Sequence, residues 1–173
     1  MSDSLPFSDP VRLHQIGQGV SRTLEPDGAA RGRIARSLDL ASLDQFSAEM
    51  ELKPTDAGWR LSGRIRAEAV QTCGLTLEPL PVSIDRRLSV GLTEAVEDDG
   101  DEIVIDMEDD DAPDLIEDGR IDLGQYAVEQ LALSLDPFPR KAGAEFVQPP
   151  EPTEISPFAV LGRLKGSDSA QDG

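Results

Sequence analysis

Three stretches of this chain alternate apolar and polar side chains with period two, and that pattern commits the chain to a sheet with one buried face. Phe46, Ala48, Met50 and Leu52 alternate with Ser47, Glu49, Glu51 and Lys53. Trp59, Leu61, Gly63, Ile65, Ala67 and Ala69 alternate with Arg60, Ser62, Arg64, Arg66 and Glu68. Only the turn-forming Pro54 to Gly58 separates the two, so they pair as an antiparallel hairpin. Val82, Ile84, Leu88, Val90 and Leu92 give a third, long strand after the turn-rich, proline-containing Cys73 to Pro81.

A sheet with one apolar face needs a cover. The clearest helix runs from Asp122, which begins a capping box with Gln125 three residues on, to a stop at Pro137. Leu123, Ala127, Leu131 and Leu135 lie roughly on one face of it. Ala29 to Leu38 reads as a short basic helix with Arg31, Arg33 and Arg36 solvated. The expected fold class is therefore α+β. A small antiparallel sheet of residues 46–53, 59–69 and 82–93 carries the 122–134 helix on one face. The single domain spans 1–142, followed by a Pro/Glu/Gly-rich linker over 143–156, an apolar segment over 157–165 and a disordered tail over 166–173. The N-terminal region around His14 is expected to fray.

Charge is distributed very unevenly. The chain of 173 residues carries 34 acidic and 16 basic side chains, a formal net charge of −18. Fourteen of the acids fall between Leu88 and Gly119, where there is no Lys or Arg. The remainder is nearly balanced. The acidic segment repels phosphate and attracts cations or basic protein surfaces. It reads as a solvated, mobile loop, with Asp98, Asp99, Asp101, Glu102, Asp109, Asp110 and Asp111 as the candidate partner contacts. Ile103, Val104 and Ile105 interrupt it as a short apolar island suited to an edge strand.

Chemistry has few candidates. One histidine and one cysteine exclude a Cys/His zinc site. No phosphate-cradling glycine loop is present, and the acidic run fits neither calcium-loop register at Gly100 or Gly119. Cys73 has no neighbouring base and reads as a small buried thiol. No catalytic residue, metal or cofactor is expected. With a single cysteine, no leader-like N-terminus and no apolar stretch of spanning length, the expected location is the cytoplasm and no membrane contact. Arg60, Arg64 and Arg66 share a strand face and form the candidate RNA contact, although aromatic side chains are sparse around them. Pro157, Phe158 and Leu161 belong to an apolar cluster beyond a polar linker, suited to docking on its own domain or on a partner.

Several segments together resemble the YceD family of large ribosomal RNA subunit accumulation proteins. They are Cys73-Gly-Leu-Thr-Leu-Glu-Pro79, Ile121-Asp-Leu-Gly124, Glu129-Gln-Leu131 with Leu135-Asp-Pro-Phe-Pro-Arg140, and Pro157-Phe-Ala-Val-Leu161 ahead of Leu164-Lys165. An acidic stretch between the first two motifs is usual in that family, and the resemblance spans about Phe46 to Lys165. Many members carry Cys-x-x-Cys at the first motif, where this chain has Thr76. A metal or redox role is therefore closed to it, and Cys73, Glu78, Pro79, Asp122, Pro137 and Pro139 are expected to be structural.

The resemblance implies a part in accumulation or processing of 23S ribosomal RNA. Family genes often neighbour one for a small basic ribosomal protein. The leading expectation is a non-enzymatic assembly factor whose acidic run holds a basic ribosomal protein or another basic assembly partner. Direct binding of ribosomal RNA through Arg60, Arg64 and Arg66 is the alternative, and a metal-dependent RNA hydrolase is a remote third. The sequence leaves the oligomeric state open.

Overall fold

The computed structural model describes residues 5–94, 113–116 and 118–145. The chain runs β1 (Pro10–Arg12), a 3-10 turn (Leu13–Gln15), β2 (Val20–Leu24), α1 (Gly28–Ser37), β3 (Ser42–Thr55), β4 (Gly58–Thr72), β5 (Pro79–Glu94), β6 (Asp114–Ile116), β7 (Arg120–Asp122) and α2 (Leu123–Ser134).

The expected hairpin is present and longer than its alternation suggests. β3 and β4 pair antiparallel from Thr55↔Gly58 outwards, with Leu52 opposite Leu61, Ala48 opposite Ile65 and Phe46 opposite Ala67. β5 pairs antiparallel with β4 along the whole length, from Trp59↔Leu92 to Thr72↔Pro79. Among the described residues, however, the sheet has five strands, in the order β2-β3-β4-β5-β6, and β6 joins parallel to β5. The three-stranded expectation omits both edge strands. The N-terminal region is ordered, against the expectation of fraying: β2 pairs with β3, and β1 pairs with β7 in a separate ribbon.

Pro79 and Pro81 lie inside β5 and not in a preceding crossing. Proline lacks the N–H a central strand needs, but here only β4 pairs with this end of β5 among the described residues. The other side asks for no donor, which is where strand proline is tolerated.

The alternation positions the core. Ala48, Met50, Leu52, Leu61, Ile65, Ala67, Ile84, Leu88 and Leu92 share the inner face and are buried. A register shift between Leu43 and Gln45 turns both Leu43 and Phe46 inward and spares Asp44 from the core. Ile34 and Ala35 of α1 and Leu123, Ala127, Val128 and Leu131 of α2 complete one apolar cluster with that face. Both helices are capped by aspartates: Asp27 accepts from the Ala30 N–H, and Asp122 from the Gln125 N–H. The acidic run from 95 to 112, the Ile103–Ile105 island, the apolar segment 157–165 and the tail all lie outside the described residues. So does the linker beyond Glu145.

Candidate functional site

The outer face of the sheet brings Arg60, Arg64 and Arg66 together, as their spacing on β4 requires. It also brings them carboxylates. In the register, Glu49 stands opposite Arg64, and Asp85 stands opposite Arg66. The pairs form on the diagonals. Arg64 donates from both Nε and Nη2 to the Asp85 carboxylate, a bidentate fork. Arg66 donates to Glu49 at 3.1 Å, and its Nε lies 3.9 Å from Asp85. The hydrogen bond from Arg64 holds the Asp85 carboxyl below its ordinary range, and Asp85 in turn raises Arg64. Arg60 meets only the Ser89 hydroxyl, at 3.3 Å. These pairs are more than a third exposed, so they hold little stability. They do pair two of the three arginines on which an RNA-binding strand face would depend. The two-residue turn at Asp56-Ala57 brings Glu49 to the face of these arginines, but the diagonal pairing, and Asp85 from β5, come only with the folded sheet.

The Cys73 motif is a clasp. Cys73 is fully buried, and the loop after it closes as the Leu77 N–H donates to the Cys73 carbonyl at 3.0 Å and the Cys73 N–H to the Glu78 carbonyl at 2.9 Å. Leu77 takes a left-handed φ of 60° to make that turn. The Pro137–Arg140 segment then docks on the loop. The Gly74 N–H donates to the Pro139 carbonyl at 2.9 Å, Gln71 reaches the Asp136 carbonyl at 2.8 Å, and Lys141 pairs with Glu78 at 2.8 Å. Amides from both sides aim at sulfur: the Thr76 N–H lies 3.5 Å and the Lys141 N–H 3.4 Å from Cys73 Sγ. The Thr76 side chain first, then these amides, draw the thiol down to about 6, against the opposing effect of burial. Glu78 is lowered chiefly by its hydrogen bond from Lys141. A buried thiol was legible in the sequence. The donors from residues 68 positions away were not.

Asp122 performs three tasks at once. Besides capping α2, it accepts from the Ser8 hydroxyl and from the Asp9 N–H at 2.8 Å. The Leu123 N–H donates to the Asp9 carbonyl at 3.0 Å, so the N-terminal segment is sewn across the start of α2. Gly124 permits this. A Cβ there would stand 2.8 Å from the Asp9 nitrogen and 2.9 Å from Ser8 Cα.

Beside this junction, β6, β7 and α2 enclose a groove of about 580 Å³. Asp114 and Asp118 end the acidic run there, and Asp122 at the cap of α2 and Glu129 within it join them. Among the described residues Arg120 is the one base in the lining, and it lies 3.7 Å from Asp118. Leu115 is 54% exposed on the same wall, although it is a large apolar side chain. The Tyr126 hydroxyl donates to Asp114 at 3.1 Å, and desolvation, followed by the Asp114 charge, raises its ionisation. Sequence reading assigned the negative field to contiguous residues alone and missed Glu129, which the α2 fold adds to it.

Among the described residues no three His, Cys, Asp or Glu side chains converge to hold a metal ion. No described helix is long and apolar enough to cross a membrane. A family model described as large ribosomal RNA subunit accumulation protein YceD matches residues 61–165, from β4 through the Cys73 clasp, the acidic groove and α2. No curated protein and no solved structure matches the chain.

Proposed function

The chain belongs to the YceD family of large ribosomal RNA subunit accumulation proteins, and from that premise we propose that it is a non-enzymatic assembly factor that holds a basic partner in the acidic groove. The observation that carries this reading is the groove itself. Asp114, Asp118 and Glu129 line it at the end of a fourteen-acid run, beside the exposed Leu115. A basic protein segment with an apolar residue complements both features: charge steers it in and the leucine contact gives it register. A lysine-rich ribosomal protein of the large subunit is the natural occupant, and the cytoplasm the natural setting.

The test is capture of purified large-subunit proteins by the full chain across a salt series. Replacing Asp114, Asp118 and Glu129 by Asn, Asn and Gln is expected to weaken capture at least tenfold and flatten its salt dependence. A second variant with the acids of 97–111 changed to Ser separates the run from the groove. Unchanged capture by both variants rejects the proposal.

A further inference from the structure

The protein's cations are not equally spent. Lys53, Arg64, Arg66, Arg120 and Lys141 all sit in ion pairs. Arg31, Arg33 and Arg36 of α1 make no ion pair among the described residues, and α1 itself contains no acid. Arg31 Nη1 donates to the Pro26 carbonyl at 2.9 Å, and Arg33 Nε to the Pro6 carbonyl at 3.2 Å. Those neutral acceptors fix the guanidinium groups without cancelling their charge.

Arg31 and Arg36 line one groove, of about 510 Å³, between α1 and the turn into β3. Ala35, Leu40 and Leu43 are its buried floor. Among the described residues Asp44 is the one acid in its lining, and it pairs with neither arginine. The two guanidinium groups lie back along the helix over glycines. A Cβ at Gly28 would stand 3.9 Å from Arg31 Nη2, and one at Gly32 3.9 Å from Arg36 Nη1. Nothing in the fold demands glycine at position 32. Its φ is not positive, a Cβ would meet only ordinary van der Waals neighbours, and glycine is the poorest helix former after proline. Glycine there makes sense if a second chain lies against the helix.

We infer that the α1 groove binds the phosphodiester backbone of RNA, with Arg31 and Arg36 forking to phosphate oxygens and Gly32 admitting the strand close to the helix. This rests on the reading that the protein serves ribosomal RNA, and it makes the factor a bridge between RNA and a basic partner. Among the described residues the charge layout permits it. α1 packs on β3, and the acidic groove borders β6, three strands away. At about 4.8 Å per strand that is roughly 14 Å, more than the ~8 Å over which exposed charges are screened at physiological salt. A guanidinium matches a phosphate or a carboxylate in two parallel hydrogen bonds, and the reading that the protein serves ribosomal RNA favours the phosphate.

The experiment measures anisotropy of a labelled oligouridylate with the full chain over a sodium chloride series. The R31Q/R36Q variant is expected to lose roughly tenfold or more in affinity, and the slope of log K against log salt is expected to fall by about 0.7 for each phosphate no longer neutralised. The paired-arginine variant R64Q/R66Q is expected to keep the parental slope. Gly32→Ala is expected to melt higher than the parent yet bind RNA severalfold more weakly, a combination that a purely structural role for the helix does not produce. Parental affinity and slope in R31Q/R36Q overturn the inference. So does an oligoglutamate that binds the groove while oligouridylate does not, since the occupant is then an acidic polypeptide. Capture of the basic partner is unaffected by R31Q/R36Q, so failure here is distinct from failure of the acidic-groove reading.

Discussion

Gly124→Ala isolates what the tertiary structure adds to a local rule. In a free helix the exchange is favourable by up to about 1 kcal/mol, because alanine is the better helix former. In the folded chain the new methyl would stand 2.8 Å from the Asp9 nitrogen and 2.9 Å from the Ser8 backbone. These are main-chain atoms, held by the Leu123 N–H at 3.0 Å and the Asp122 carboxylate at 2.8 Å, so they yield only if the segment moves. Overpacking of this kind costs about 1–3 kcal/mol. The ceiling is release of the segment, which forfeits two hydrogen bonds at about 1 kcal/mol each and part of the burial of Val11. The expected net loss is about 1–2 kcal/mol, or roughly 2–8 °C in melting temperature for a chain of this size. Urea unfolding gives the free energy, and faster hydrogen exchange at the Leu123 amide reports that its bond to the Asp9 carbonyl has opened. Deleting residues 1–9 should reverse the sign, so that Gly124→Ala becomes stabilising by up to about 1 kcal/mol. A full chain that is more stable with alanine refutes the reasoning.

Two further outcomes follow from the same structure. The Cys73 thiol is drawn down to about 6 in the folded chain, against about 8.5 when unfolded. A depressed acid contributes stability above its unfolded value and loses it as pH falls through its folded value. The stability gap between the parent and Cys73→Ala should therefore widen from about pH 6 to about pH 8.5; urea midpoints across that window check it, and a constant gap refutes it. Leu61→Ala removes a fully buried side chain standing between Leu52 and Val90 on the central strand. A loss of about 2–5 kcal/mol is expected in urea unfolding, and a loss below about 1 kcal/mol would mean that the strand is not enclosed as described.

Alternation is a local property, and it was enough to read β3, β4, β5 and their buried face, because side chains two apart must share a side of a strand. The Asp122 cap and the stop at Pro137 were legible for the same reason: both act within a few residues. The strands that alternation missed lie at the margins. β1, β6 and β7 have three residues each, too few for any period, and β6 owes its place to the parallel partner that β5 offers. β2 has five residues, but only Leu24 of them is buried, so it shows no apolar alternation. The candidate site divides along the same line. Sequence alone determined that the acids are concentrated in one segment, that the β4 arginines share a face and that Cys73 is inside. Only the tertiary structure decided that Asp85 and Glu49 occupy two of those arginines, that Glu129 joins the acids, that Lys141 aims its amide at Cys73, and that Gly124 makes room for Ser8 and Asp9. The physical reason is range. Propensity and periodicity are written into neighbouring residues, whereas charge compensation, amide donation and close backbone approach depend on residues that meet only once the chain has folded.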